Sequence, residues 1–170
     1  MNKQDVGQNL QSKPVKKIIP TQATSEQKIN ENIAIIMVKK IDKFSSLKEY
    51  NTRDLVEDSE KLGRELANIG LKTTQVRKFL DAVNQLKVKL RGSDILTEEI
   101  KSELQLLRPK LAYAAARQQK KNDPGPVEPL RQVLEAAIEQ VRNELEDFKR
   151  LTELIESIIA YHKAAGGADQ

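Results

Sequence analysis

The sequence contains no cysteine and a single histidine, His162, among its 170 residues. The missing thiols exclude disulfide scaffolds, thiolate nucleophiles, cysteine-containing zinc sites and iron–sulfur clusters, and they are compatible with a reducing cytoplasm. The longest apolar run, Ile33 to Val38, has six residues, whereas a membrane span requires about 18 or more. We therefore expect a cytoplasmic protein that has no contact with a membrane.

Glycine, proline and aromatic residues are also scarce, with seven Gly, six Pro, three Phe, three Tyr and no Trp. So few turn residues argue against a β-sandwich or barrel. So few aromatic residues argue against a platform on which single-stranded nucleic acid stacks, with Tyr113 as the one exception. The sequence predicts an all-α fold, a single helical bundle of about five helices.

We expect the chain to divide into a mobile basic arm (1–23), a bundle domain (24–167) and a frayed tail (168–170). Apolar residues at spacings of three and four predict the helices, which we place near 26–44, 52–69, 73–90, from 97 onward with an interruption at Pro109, and 129–163. Thr24 and Gln27 are spaced like a capping box for the first of these helices. The last would be one helix of about 50 Å, or would bend or break near 145–150.

Positive charge is concentrated on two predicted helical segments. Residues 72–91 include six basic residues and one acid, and residues 108–121 include five basic residues and no acid. Charged helix faces are often no more than solvated surfaces, but a solvated helix usually alternates Glu with Lys at i, i+4. The missing acids therefore favour a polyanionic partner.

Helical geometry groups these charges into two stripes. Arg117 and Lys121 each lie within about 20° of Lys110 on an ideal helix, and the alanines at 114–116 leave room for a phosphodiester chain beside them. On the preceding helix Lys78 and Lys89 align. Phosphates recur regularly along a nucleic acid, so two such stripes suit backbone recognition without base reading.

Two other basic residues of the first segment have different expected positions. Arg77 lies beside Lys78 and points away from the apolar line. Lys87 falls inside the apolar arc and is expected to extend toward solvent from the edge of the core.

No catalytic constellation is visible, so we expect a protein that is not an enzyme, with no cofactor, metal or small-molecule substrate. His162 lies on the apolar line of the last helix and is expected to be a buried structural residue. No nucleophile accompanies it, and the sequence has neither a paired Glu-x-x-His motif nor a glycine-rich phosphate loop.

Three stretches carry a resemblance to a known family: GLKTTQVRKFLDAV at 70–83, LRPKLAYAAAR at 107–117 and IIAYHKAAGG at 158–167. In order, spacing and helical setting they resemble the small Csm-type subunit of type III-A CRISPR effector complexes. The resemblance covers about residues 50–167. It implies a non-catalytic helical subunit, several copies of which hold target RNA against the crRNA beside the other effector subunits in antiviral defence.

The resemblance places the family's Gln-x-Arg-Lys motif at Gln75, Arg77 and Lys78. It places the Pro-Lys-Leu-Ala-Tyr motif at Pro109 to Tyr113, with Arg117 following. The predicted RNA-binding residues are Arg77, Lys78, Lys110, Arg117 and Lys121. Two alternatives stay open: a helical protein–protein adaptor without nucleic-acid binding, and polyanion binding by the amino-terminal arm.

Overall fold

A computed structural model describes residues 32–93 and 95–168. Within these ranges the chain forms helices and no β-strand, as predicted. The helices are α1 (Ile33–Ile41), a 3-10 helix (Leu47–Glu49), α2 (Thr52–Asn68), α3 (Thr73–Lys89), α4 (Glu98–Gln105), α5 (Leu107–Ala116), α6 (Glu128–Glu139) and α7 (Leu145–Ala164). In this described part, no helix is long and apolar enough to cross a membrane.

The first helix is shorter than predicted at its carboxyl end. It begins after Asn32, whose side chain accepts a hydrogen bond from the Ala34 amide at 2.8 Å, and it ends at Ile41 instead of residue 44. Phe44 leaves the helix and packs its ring 5.4 Å from that of Tyr50. The predicted capping box and residues 26–31 lie outside the described residues.

The middle helices follow the predicted apolar faces closely. α2 begins after Asn51, and its buried line includes Leu55, Leu62 and Leu66, although Ile69 at its end is exposed. Gly70 adopts φ +81° directly after this helix, as expected of a glycine that ends one. In α3 the predicted apolar line is buried apart from a half-buried Leu80.

Two predicted segments are each split in two. The segment from Thr97 breaks at Leu106, so Pro109 lies in the first turn of α5, where its missing N–H costs nothing. The prediction of a single helix of about 50 Å over 129–163 is wrong, because residues 140–144 separate α6 from α7. The break occurs just before the 145–150 region that we considered as the alternative.

Buried Asp147 explains the break between α6 and α7. Its carboxylate accepts hydrogen bonds from the amides of Arg142 and Lys48, each at 2.9 Å, and from the Ser46 hydroxyl. The side chain is 0% exposed. A continuous helix would place the Arg142 amide inside the helical hydrogen-bond ladder, where it could not reach this carboxylate.

The helices enclose one hydrophobic core. α7 packs along both α2 and α3, α1 packs on α6 and α2, and α5 packs on α6, with α4 joining α3 to α5. Gly63 of α2 permits a close approach of α7, since a Cβ there would lie 2.7 Å from the backbone nitrogen of His162. This packing brings the start of α3 and the end of α5 to the same end of the bundle.

Candidate nucleic-acid interface

A groove of about 330 Å³ lies between the first turns of α3 and the last turn of α5. Its lining contains three cationic side chains and no carboxylate. The lining residues are Lys72, Thr74, Gln75, Lys78, Phe79, Ala114, Arg117 and Gln118. One predicted residue from each stripe, Lys78 and Arg117, therefore lies in a common groove.

Lys78 is positioned by the anchoring of α3 to the segment that follows α7. The Thr73 amide donates to the Ala168 carbonyl at 2.8 Å, and its hydroxyl donates to the Gly167 carbonyl at 3.3 Å. Val76 and Phe79 turn inward to the core, which leaves Lys78 on the exposed side of the helix.

Arg117 caps the carboxyl end of α5, where its amide donates to the Tyr113 carbonyl at 3.1 Å. The unsatisfied carbonyls at a helix carboxyl end favour a cation. The side chain is exposed, and the half-buried Ala114 beside it leaves the groove open. Of the other two alanines, Ala115 faces the core and Ala116 is exposed.

Arg77 and Lys110 are exposed but do not line the groove. Lys110 lies two turns before Arg117 on the same face of α5, and Arg77 is adjacent to Lys78 on α3. Within residues 32–93 and 95–168, no carboxylate forms an ion pair with any of the five predicted residues. These cations remain available to an external anion.

The predicted helical alignment of Lys121 is wrong, because α5 ends at Ala116. Lys121 lies in a tight turn in which Lys120 and Asp123 exchange backbone hydrogen bonds of 2.9 and 3.0 Å. Gly125, with φ +80°, follows this turn, and a Cβ there would lie 2.8 Å from the Gln118 carbonyl oxygen. The turn therefore folds back on the end of α5 and keeps Lys121 exposed near it.

The first stripe is shorter than predicted, because acids neutralise part of the two basic segments. Lys89 pairs with Glu103 at 2.5 Å, and this hydrogen bond raises the pKa of Lys89. Arg108 pairs with Glu139. Lys87, expected at the core edge, is exposed and lines a separate cleft whose lining also includes Glu153 and Glu156. Of the cations in the two basic segments, those without an ion pair among the described residues lie at the start of α3, at its end (Lys87 and Arg91), and on α5 with the turn after it.

Sequence reasoning did not single out Lys72 and Gln118 as site residues. Lys72 precedes the first residue of α3, so a projection restricted to helical residues omits it. Gln118 follows the last residue of α5 and carries no charge. Lys72 could have been found from its position at the predicted start of the helix, three residues before the family motif residue Gln75.

Tyr113 lies beside this groove on α5. Its side chain is 66% exposed, and the Arg117 guanidinium carbon lies 5.8 Å from the ring centroid. This distance is typical of a cation–π contact. The aromatic ring is therefore coupled to a groove residue while most of its surface faces solvent.

His162 is a structural residue in this fold, as expected. It is fully buried, with Nε2 2.7 Å from the Leu71 carbonyl oxygen and Nδ1 3.4 Å from the Thr73 hydroxyl. Gly167 packs against its ring, where a Cβ would lie 2.2 Å away. In the part of the chain that the structure describes, no three acidic or histidine side chains are grouped so that they could hold a metal ion.

Sequence comparison decides the family. A family model described as Csm2 Type III-A matches residues 49–168, which include α3, α5 and the whole groove. The chain belongs to the Csm2 type III-A family. This confirms the resemblance drawn from the three motifs, and it makes this Csm2-family chain a small subunit of a type III-A CRISPR effector complex that associates with other subunits of that complex. No curated protein matches the chain in sequence.

Proposed function

We propose that this subunit holds target RNA along the crRNA by sequence-independent contacts to phosphates, without catalysing a reaction, as part of antiviral defence in the cytoplasm. The observation that supports this proposal is the groove in which Lys78 and Arg117 meet from separate helices with no acid in the lining. Neighbouring copies of the chain would extend the same contacts along the RNA.

The chemistry of the groove fits a phosphate backbone better than a base edge. Its polar groups are three long cationic side chains with the side-chain amides of Gln75 and Gln118 and a threonine hydroxyl. Lysine and arginine neutralise phosphates and release counterions, whereas base reading requires rigidly positioned donors and acceptors. Arg77, Lys110 and Lys121 would contact phosphates on either side of the groove.

The test is retention of target RNA by the assembled complex after charge reversal. The variant combines Arg77→Glu, Lys78→Glu, Lys110→Glu and Arg117→Glu. We expect strong loss of target RNA at physiological salt with unchanged subunit stoichiometry. A control of equal charge compares Lys78→Glu with Arg117→Glu against Lys43→Glu with Lys61→Glu, at two exposed lysines outside the groove. Equal retention by the four-residue variant and the wild type would contradict the proposal.

The amino-terminal arm is a separate source of positive charge that lies outside the described residues. Deletion of residues 1–23 tests its contribution in the same assay. Because the groove residues remain intact, we expect most target RNA to stay bound. Loss of binding on deletion alone would assign the polyanion contact to the arm.

The adaptor hypothesis has one observation in its favour. A cleft of about 440 Å³ lies between α3 and α7, with the apolar side chains of Leu90, Leu145 and Phe148 and several charged side chains in its lining. Binding of a protein segment there would respond weakly to salt, because burial of apolar surface would supply most of the free energy. Affinity that is insensitive to salt, with no protection of RNA from nuclease, would favour this function over the first.

A further inference from the structure

We propose that Tyr113 stacks on an unpaired base of RNA whose adjacent phosphate is bound by Arg117. This inference rests on the proposed function and deepens it, because it names the partner as RNA with at least one base free of a partner strand. It adds a stacking contact to the phosphate contacts of the groove.

The exposure of Tyr113 is the first step of the argument. A large aromatic side chain is costly to leave in water, yet Tyr113 is 66% exposed. Its helix already buries Leu111 and Ala115 on the core side, so the ring is not needed for the packing of α5. Among the described residues no hydrogen bond holds its hydroxyl.

The position of Tyr113 relative to the groove is the second step. The Arg117 guanidinium carbon lies 5.8 Å from the ring centroid, and Arg117 also lines the groove together with Lys78. A nucleotide whose phosphate meets Arg117 therefore has its base within reach of the ring. Arginine and an aromatic side chain together form the mixed platform on which unpaired bases stack.

The surroundings favour RNA over a protein partner. Tyrosine and arginine are also common at the centre of protein interfaces, but such centres are depleted of lysine and are largely apolar. Here the adjoining groove contains Lys72 and Lys78 with Arg117 and no acid. Leu106, at the break between α4 and α5 and 59% exposed, is the only other large exposed apolar side chain in the described residues 98–116.

The experiment measures binding of the full-length protein to a fluorescent oligoadenylate single strand and to the corresponding RNA duplex over a salt series. Tyr113→Ala is expected to weaken single-strand binding about 5- to 150-fold, the range for loss of one stacked base. The slope of log K against log salt should not change, because no phosphate contact is removed. Tyr113→Phe should bind like the wild type, and Leu106→Ala serves as the matched control.

Three outcomes overturn the stacking proposal. The first is an unchanged single-strand affinity of Tyr113→Ala, and the second is an equal loss of affinity for the duplex. The third is a fall in the salt slope, which marks an indirect effect through Arg117. In each case a wild type whose RNA binding falls with salt leaves the proposed function standing. A wild type that does not bind RNA overturns both.

Discussion

Replacement of Asp147 by alanine should be among the most destabilising single changes in this fold. The Asp147 carboxylate is fully buried and accepts hydrogen bonds from three donors, the Ser46 hydroxyl and the amides of Lys48 and Arg142. These donors belong to the 3-10 helix region and to the turn between α6 and α7. One side chain therefore fixes two loops at the amino end of α7.

The magnitude follows from the number of donors left without an acceptor. A hydrogen bond to a charged group contributes about 1.5–3 kcal/mol, but Lys48 and Arg142 are exposed residues whose amides water can partly reach after the change. We expect a loss of about 3–5 kcal/mol in the free energy of unfolding, which is a large share of the roughly 5–15 kcal/mol typical of a domain. The melting temperature should fall by roughly 6–20 °C.

Urea unfolding followed by circular dichroism measures this change, and hydrogen exchange locates it. The matched control is Glu146→Ala, since Glu146 is also in the first turn of α7 but is exposed and pairs only with Lys149 at 2.6 Å. The control should lose less than about 1 kcal/mol. Asp147→Ala should also speed exchange of the Lys48 and Arg142 amides. A loss no larger than that of the control would refute the reasoning.

Three further changes test other parts of the fold. Gly63→Ala should lower the free energy of unfolding, measured in urea, by about 1–3 kcal/mol, because α7 lies too close to admit the methyl group. Alanine has the better helix propensity, so a variant more stable than the wild type would contradict this steric reason. His162→Ala should cost about 2–5 kcal/mol through its cavity and lost hydrogen bonds while leaving the RNA salt slope intact; a changed slope would place His162 in the interface. Glu128 accepts hydrogen bonds from Arg131 that hold the pKa of its carboxyl below the ordinary 4.5. Its contribution to the free energy of unfolding is therefore complete above about pH 4.5 and is lost as pH falls through the lowered pKa. Glu128→Gln should reduce the acid sensitivity of unfolding between pH 5 and 2, and an unchanged pH profile would contradict that cause.

The fold class and most core residues could be predicted from apolar spacing because the helices are amphipathic. The positions of the breaks between helices could not be predicted from this spacing. Val141 and Leu145 keep the spacing of three and four across the turn between α6 and α7, so periodicity runs through the break. What interrupts the helix is a tertiary contact, the carboxylate of Asp147 with donors about 100 residues earlier in the chain.

Only part of the candidate site could be predicted, because the rest also depends on tertiary contacts. Local charge density and helical angle selected Lys78 and Arg117, which the fold brings to one groove. The same criteria could not show that Glu103 reaches Lys89 from another helix, nor that α5 ends before Lys121. Ion pairs between helices and helix ends depend on the three-dimensional packing, which a single-helix projection does not contain.

The salt dependence of RNA binding tests the central claim most directly. Each phosphate neutralised on a single strand contributes about 0.7 to the slope of log K against log salt. Lys78→Gln with Arg117→Gln should therefore reduce the slope by about 1.4 relative to the wild type. Lys43→Gln with Lys61→Gln should leave it unchanged. Equal slopes for the groove variant and the wild type would contradict the claim that these two side chains bind the RNA backbone together.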